Sequence, residues 1–334
     1  MLRHTFLRGL PGLALLAATA PASAQAPSQG QFPGSTPITL VIPYPAGGIG
    51  DYLTRLVAKK LGEELGVSVV VENKPGANGA IGAAVVANAK PDGHTLMCVP
   101  ASTLTSNPWL MKNLGYDPLK DFTPLTRLIE FPNVLMVNPE FPAKTLQELI
   151  EAAKRKPGSV NYGSVGVGSS THLQAEMFKR AAGIDIVNIT YKGSAPALQD
   201  LAAGQVQMMF DNLPSAFPLI SGKKVRALAV TGVSPSPVLP DVPTIASVVP
   251  GFVEVTWWAI LAPAGLPADI ARKLTTALQK IAGDPDFAKP MTDRGGVVAA
   301  DGPDALRAAI QTETEKAGKL IKDLGITEIG RAHV

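Results

Sequence analysis

The stretch from Ile38 to Asp51 constrains the fold most strongly, because its character changes twice within a short span. Its first five residues, Ile38–Ile42, are almost all apolar and β-branched, which predicts a strand buried on both faces. The glycine-rich segment Gly47–Gly50 then allows a loop with exposed backbone N–H groups. From Asp51 onward the apolar residues recur with helical spacing. This order places a helix N-terminus at the carboxyl end of a strand, where it can hold an anion.

The same strand, loop and helix pattern recurs along the chain and predicts its organisation. A second glycine loop, Asn73–Gly79, lies between two further strands and completes a βαβαβ unit. An irregular segment and then a long extended one, Leu125–Val137, follow, and the pattern returns with loops at Gly166–Thr171 and Lys192–Ser194. We therefore predict an α/β fold of two lobes, each a mainly parallel sheet flanked by helices. Two extended crossings join the lobes and leave a cleft with a hinge.

The predicted domain boundaries follow from this pattern. Lobe 1 comprises residues 37–132 and 232–327, and lobe 2 comprises residues 133–231. The segment Val225–Thr231 is predicted to be a strand that returns the chain to the first unit. Two helices, about Pro267–Ala282 and Pro303–Leu324, finish the chain.

Both chain ends differ from the lobes. Residues 1–24 combine a positive start, a short apolar run and the small residues Ala22-Ser-Ala24, which is typical of a cleavable signal peptide. The apolar run is shorter than the roughly 20 residues that span a bilayer. Residues 25–36 are predicted to be a flexible leader, and we interpret residues 328–334 as a non-native tail. The single cysteine, Cys98, allows no internal disulfide, so we expect a periplasmic domain that needs none.

Composition and motif spacing exclude several classes of function. The formal net charge is only +3 and the basic residues are scattered, so nucleic acid is not an expected partner. No dinucleotide fingerprint or phosphate-binding Gly-Lys-Ser/Thr loop is present, and we expect no cofactor. Only His94 and His172 remain once the signal peptide and tail are set aside. Because metal sites need clustered ligands, we expect no metal site.

The loops predict a site for a small carboxylate. If both sheets point their carboxyl ends at the cleft, the four loops converge there. A helix N-terminus contributes about 0.3–1 kcal/mol to a nearby anion, and hydrogen bonds to a charged group add about 1.5–3 kcal/mol each. Micromolar binding needs about 8 kcal/mol, so no arginine is required. Asp211, which follows a strand, either accepts a ligand amine or hydroxyl or caps the next helix.

Two other functions remain open on the residues alone. Ser164 or Ser170 with His172 would suit a serine hydrolase or esterase, in which the imidazole acts as general base. His172 would otherwise donate to a ligand or cap its helix. A ligand-sensing adaptor for a membrane signalling protein is a further possibility.

Several stretches, in order, resemble the tripartite tricarboxylate transporter solute receptors, also called Bug or TctC-type extracytoplasmic binding proteins. The resemblance runs from about Ile38 to Gly325. The matching stretches are Val41–Gly48 with Asp51, Val70–Gly79, Pro91–Leu96, Asn161–Leu173, Tyr191–Ala197 and Phe210–Asn212.

This resemblance implies a two-lobed periplasmic binding protein, type II-like, that closes on a small organic acid and is not an enzyme. It also implies a two-subunit inner-membrane permease as partner, and we expect a monomer. Carried onto this chain, with Asn78 of the second glycine loop added, the ligand-binding residues are Tyr44, Ala46, Gly47, Gly48, Asn78, Ser164, Ser169, Ser170, Thr171, His172 and Asp211.

Overall fold

The computed structural model describes residues 32–326. The predicted signal peptide, most of the leader and the predicted tail at 328–334 lie outside the described residues. None of the helices within residues 32–326 has the length and apolarity that a membrane crossing requires. The last part of the predicted flexible leader forms a turn against lobe 1. There the Phe32 ring packs 5.2 Å from the His94 ring, and Lys273 donates to the Phe32 carbonyl at 2.7 Å.

Strands and helices alternate through most of the described chain. The strands are β1 (Ile38–Ile42), β2 (Val69–Asn73), β3 (Thr95–Pro100), β4 (Phe122–Val137), β5 (Val160–Ser164), β6 (Ile186–Thr190), β7 (Met208–Asn212), β8 (Arg226–Val230), β9 (Val255–Pro263) and β10 (Val297–Asp301). The helices are α1 (Ile49–Leu65), α2 (Ala80–Ala87), α3 (Ala101–Thr105), α4 (Asn107–Leu110), α5 (Leu146–Arg155), α6 (Ser170–Ala182), α7 (Ser194–Ala202), α8 (Leu213–Ser221), α9 (Ala268–Ala282), α10 (Pro285–Thr292) and α11 (Pro303–Leu324).

The long strand β4 belongs to two sheets and defines the two lobes. Its first part, Phe122–Pro132, pairs with β9 and also with β10. Its last part, Asn133–Val137, pairs with β7 and β8. The lobe 1 sheet has the order β2-β1-β3-β9-β4-β10, and the lobe 2 sheet has the order β6-β5-β7-β4-β8. From the sequence, the strand β8 was expected to return the chain to lobe 1. In the structure β8 stays in lobe 2, and β9 makes the return instead.

Each sheet has a parallel centre with antiparallel strands added to it. In lobe 1, β1 lies parallel to both β2 and β3, and in lobe 2, β5 lies parallel to both β6 and β7. The pairings of β4 with β7, β8, β9 and β10 are antiparallel, as is that of β3 with β9. The sheets are thus mixed. Their parallel centres still place the loops before α1, α6 and α7 at carboxyl ends of strands.

Helices cover both faces of each sheet, and this explains why four of the five residues of β1 are apolar. Ile38, Leu40 and Ile42 point into a core shared with α1 and α9, whereas Val41 points into a core shared with α2 and α11. Successive side chains of a strand alternate between the two faces of the sheet. Because both faces are covered here, each face of β1 carries apolar side chains. Lobe 2 has the same arrangement, with α5 and α6 on one face and α7 and α8 on the other.

Two chain crossings join the lobes, and Thr231 ties them together. Its N–H donates to the Asn133 carbonyl at 2.9 Å, and its hydroxyl accepts from the Asn133 N–H at 2.8 Å. The same hydroxyl donates to the carbonyl of Glu254 at 2.5 Å. The β4 crossing and the β8–β9 crossing are therefore joined by hydrogen bonds where the chain passes between the lobes.

The sequence missed four elements. The segment Asn107–Thr123 is predicted to be irregular, yet α4 occupies its start and β4 begins at Phe122. The short helix α3 and the helix α10 were not predicted, and α10 carries prolines at both Pro285 and Pro290. The edge strand β10 has a register irregularity against β4. Short length and proline content remove the periodicity on which sequence analysis depends.

Candidate functional site

A cleft between the two lobes is the candidate site. It encloses about 630 Å³ of space, counting the part that opens to solvent. Lobe 1 contributes the loop before α1, the start of α3 and part of β9. Lobe 2 contributes the loops before α6, α7 and α8.

Five helices begin at this cleft. The residues that precede their first turns all line it: Gly48 for α1, Pro100 for α3, Ser169 for α6, Gly193 for α7 and Asn212 for α8. At four of these ends, α6 excepted, that residue's side chain makes no capping hydrogen bond. Because the first N–H groups of a helix have no partner within it, these ends offer donors and partial positive charge. The cleft is therefore suited to an anion.

The first glycine loop is held in shape by Asp51. One carboxylate oxygen accepts from the Gly47 N–H at 3.3 Å, and the Arg55 guanidinium and the Asn73 amide donate to the carboxylate at 2.9–3.1 Å. Asn73 also donates to the Tyr44 carbonyl at 3.0 Å. Burial alone would raise the pKa of Asp51, but the hydrogen bonds, led by those from Arg55, lower it. The carboxylate is thus ionised, and its oxygens are hydrogen-bonded to Gly47, Arg55 and Asn73.

The second glycine loop stands behind the cleft, although the sequence predicts that it faces the ligand. Asn78 has a left-handed backbone (φ +47°), which asparagine tolerates. Its side chain accepts from the Tyr44 hydroxyl at 3.0 Å and donates to Asn107 at 2.8 Å. Its carbonyl accepts from Thr103 at 3.1 Å. Asn78 does not line the cleft, but it positions the Tyr44 side chain, which does.

The loop before α6 brings two serines to the cleft, Ser169 and Ser170. Ser169 donates to the Gly166 carbonyl at 2.7 Å and accepts from the His172 N–H at 3.3 Å, so it caps the helix. Thr171 accepts from the Val165 N–H at 3.0 Å and does not line the cleft. These bonds fix the loop and leave Ser170 at the start of the helix.

The imidazole of His172 faces its own loop. It is 7% exposed, and its Nδ1 accepts from the Gly168 N–H at 3.3 Å. Burial lowers its pKa, and the nearby Glu176 only partly opposes this, so the ring is neutral at pH 7. The buried hydroxyl of Ser164 has no hydrogen-bond partner among residues 32–326. Within residues 32–326 no serine hydroxyl hydrogen-bonds to this imidazole, so the contact that a serine hydrolase needs is not formed.

Asp211 lies beneath the cleft at the end of β7. It is fully buried and does not line the cleft. Its Oδ1 accepts from the Ser194 hydroxyl at 3.0 Å and the Asn212 N–H at 2.8 Å. Its side chain therefore contacts neither the open cleft nor the first turn of α8, the two roles considered from the sequence. Burial raises its pKa to about 7.

The cleft residues that were absent from the sequence-based site include Lys192, Ser194, Asn212 and Trp258. The first two lie inside a loop that the sequence did identify, and Lys192 is an exposed cation with no hydrogen bond or ion pair in the described structure. Trp258 comes from β9, far away in sequence, and packs edge-on to Tyr44 with ring centroids 6.0 Å apart. No local pattern connects it to the glycine loops.

The lobes touch at the rim of the cleft. A Cβ placed on Gly47, which has φ +97°, would lie 3.7 Å from the Cβ of Ala195 across the cleft. A Cβ on Gly193 would lie 3.6 Å from the ring of Pro45. A Cβ at either position would therefore lie in van der Waals contact with the opposite lobe, and a larger side chain would come closer still. No group of three or more His, Cys, Asp or Glu side chains suited to a metal ion occurs in the described part of the chain.

A family model described as "Tripartite tricarboxylate transporter family receptor" matches residues 53–326. The chain is 36% identical over 316 residues to the UPF0065 protein in the tcbD-tcbE intergenic region of Pseudomonas sp. strain P51, covering 94% of this chain and 93% of that protein.

Three solved structures share the fold. The periplasmic binding protein BugD is 34% identical with a TM-score of 0.84, covering 88% of this chain and 99% of its own. R. palustris Rpa4515 with adipate is 35% identical with a TM-score of 0.86, covering 89% and 100%. MatC from Rhodopseudomonas palustris with bound malate is 33% identical with a TM-score of 0.82, covering 87% and 100%.

Proposed function

The chain belongs to the tripartite tricarboxylate transporter family of receptors, and we propose that it captures a small mono- or dicarboxylate in the cleft by closure of the two lobes. It acts as a receptor rather than as an enzyme. The bound acid is then delivered to a two-subunit permease of the inner membrane.

The convergence of five helix N-termini on one cleft carries this proposal. At four of them the residue before the first turn makes no capping hydrogen bond, and each helix N-terminus carries partial positive charge. Lys192 adds a full positive charge at the same cleft. The two nearby aspartates do not oppose an anion, since Asp51 is occupied by Arg55 and Asn73 and Asp211 is buried below the surface.

The predicted site residues divide into two groups in this proposal. Those that line the cleft contact the acid: Tyr44, Ala46, Gly48, Ser169 and Ser170. The others position these contacts from behind: Gly47, Asn78, Ser164, Thr171, His172 and Asp211. Lys192 joins the first group as a counter-ion for the carboxylate.

Two relatives whose structures contain a bound ligand support a carboxylate as the substrate. The Rpa4515 structure holds adipate and the MatC structure holds malate, and both acids carry carboxylates at two ends. Each relative is covered almost completely by the present chain, so the similarity includes both lobes.

The leader and the relatives support a periplasmic location. The predicted signal peptide at residues 1–24 would direct export, and BugD is a periplasmic binding protein. We propose that the mature chain is a periplasmic monomer. When the two lobes close, together they form the surface that a permease recognises.

Thermal-shift screening of the mature chain against small organic acids tests the proposal. A ligand that binds only the folded state stabilises it by about 2.7 kcal/mol at one hundred times its Kd, which raises Tm. Hits are then titrated by calorimetry, with G47V as a control that blocks lobe approach at Ala195. We expect micromolar binding of at least one acid and its loss in G47V. If no acid raises Tm, the proposed receptor function is wrong; if G47V binds as tightly as the unmodified chain, the proposed capture by closure of the lobes at Ala195 is wrong.

A further inference from the structure

Ser194, Asp211 and Asn212 form a hydrogen-bonded corner of the cleft, which we call the acceptor corner. Ser194 and Asn212 line the cleft, and Asp211 lies buried between them. The Oδ1 atom of Asp211 accepts from the Ser194 hydroxyl at 3.0 Å, from the Asn212 N–H at 2.8 Å and from the Asn212 side-chain amide at 3.4 Å. Its Oδ2 atom has no hydrogen-bond partner in the described part of the chain.

The direction of these bonds decides what the corner offers to a ligand. A serine hydroxyl has one hydrogen, so a hydroxyl that donates to Asp211 presents only lone pairs elsewhere. An asparagine amide that turns its NH₂ toward Asp211 presents its oxygen on the other side. The Oδ1 atom of Asn212 is buried and has no partner in the described structure. The Ser194 hydroxyl therefore offers a ligand only lone pairs, and the unpaired Oδ2 atom of Asp211 and Oδ1 atom of Asn212 are further acceptors in the described residues.

This polarity contrasts with that of the rest of the cleft. The start of α1 has no side-chain cap and offers N–H groups, which suit a carboxylate. A carboxylate or a bare methylene at the acceptor corner would leave buried acceptors without a partner, and that is costly. A hydroxyl or an ammonium group on the ligand would satisfy them.

We propose that the cleft selects carboxylates that also carry a hydrogen-bond donor, a hydroxyl or an ammonium group, and that the acceptor corner sets this preference. This inference rests on the proposed carboxylate receptor function. Ser194 and Asn212 contact the donor group, and Asp211 is a positioning residue that acts through them.

Matched acids of equal chain length give the test. Each trio contains the plain acid, its 2-hydroxy acid and its 2-amino acid: propionate, lactate and alanine; succinate, malate and aspartate; glutarate, 2-hydroxyglutarate and glutamate. Calorimetric titrations are run at pH 8.5, because burial raises the pKa of Asp211 to about 7 and the carboxylate must be ionised. In the trio that binds best, we expect the hydroxy or amino acid to bind about tenfold more tightly than the plain acid, which corresponds to ~1.4 kcal/mol.

Variants separate the corner from general effects on binding. In D211N the new amide can donate to Ser194 and free the serine hydrogen for the ligand. The ratio of the Kd of the plain acid to that of its hydroxy or amino acid should therefore fall toward one. S194A removes the acceptor and should reduce the preference in the same way, which keeps the test open if D211N fails to fold. S170A is the matched control, a cleft serine outside the corner; it should weaken all members of a trio alike and keep their ratio.

The outcomes distinguish the two proposals. Equal binding across the best trio, or an unchanged ratio in both D211N and S194A, overturns the acceptor corner and leaves the receptor function standing. Absence of binding by all nine compounds and by the wider acid screen overturns both.

Discussion

Replacement of Gly50 by alanine tests how closely α1 packs on the cleft tryptophan. A Cβ at Gly50 would lie 2.1 Å from Cη2, 2.6 Å from Cζ3 and 2.8 Å from Cζ2 of Trp258. The indole cannot yield easily, because Trp258 is only 5% exposed and packs against Tyr44. Either the start of α1 or the indole must therefore shift.

The magnitude follows from two opposing effects. Overpacking a well-filled site costs about 1–3 kcal/mol, and replacement of glycine in a helix returns up to about 1 kcal/mol. We expect G50A to lower the free energy of unfolding by about 1–2 kcal/mol. For domains of this size, each kcal/mol corresponds to roughly 2–4 °C in Tm.

Gly48 provides the matched control from the same loop. It has φ −86°, and no atom lies within 4 Å of the position that its Cβ would occupy. G48A should therefore change the free energy of unfolding by less than about 0.5 kcal/mol. Urea denaturation followed by tryptophan fluorescence measures both variants. Equal stability of G50A and G48A would refute the packing argument for Trp258 and with it the described shape of this side of the cleft.

Three further predictions concern single side chains. Thr145 accepts from the Glu148 N–H at 3.2 Å at the start of α5, so T145A should cost about 0.5–2 kcal/mol in urea denaturation, whereas T145S should cost little. K192A should weaken acid binding up to about fivefold at low salt, with the difference shrinking as salt rises, while the exposed Lys90 gives a control K90A without effect. The buried Asp211 has a pKa of about 7, above its ordinary value of 3.8. Its contribution to stability is therefore full below pH 4 and is lost as the pH rises through 7, so D211N should gain stability relative to the unmodified chain between pH 4 and 8; a parallel pH dependence of the two proteins would contradict this.

Local elements of this fold could be predicted because their signals are local. The strand β1 has the predicted bounds, since an apolar β-branched run bounded by proline and glycine has few alternatives. The last helix, Pro303–Leu324, also has its predicted bounds, because proline marks its start and Gly325 follows its end. Thr145 and Glu148 have the Thr-x-x-Glu spacing of a capping box, and Thr145 caps α5.

Elements that depend on partners far along the chain could not be predicted in the same way. The strand β8 has an ordinary strand sequence, and only its pairing with β4 assigns it to lobe 2. The helix α10 contains Pro290, which removes a backbone donor and breaks the pattern that identifies helices.

The candidate site was predicted in part for the same reason. The glycine loops that follow β1, β5 and β6 are visible in the sequence, and residues from each of them line the cleft. The sequence does not reveal which side chain of a loop faces the cleft and which faces the core. Asn78 and His172 illustrate this, since each has the chemistry of a ligand-binding residue but bonds to its own neighbourhood. Trp258 depends on the pairing of β9 with β3, which no motif indicates.

The central claim is that helix N-termini in this cleft hold a negatively charged carboxylate. The most direct measurement is a calorimetric comparison of the tightest-binding acid with its own primary amide, which has nearly the same shape and no charge. Hydrogen bonds to a charged group contribute about 1 kcal/mol more than neutral ones, and helix N-termini add to this difference. The account predicts that the acid binds at least about tenfold more tightly than the amide; equal or tighter binding of the amide would contradict it.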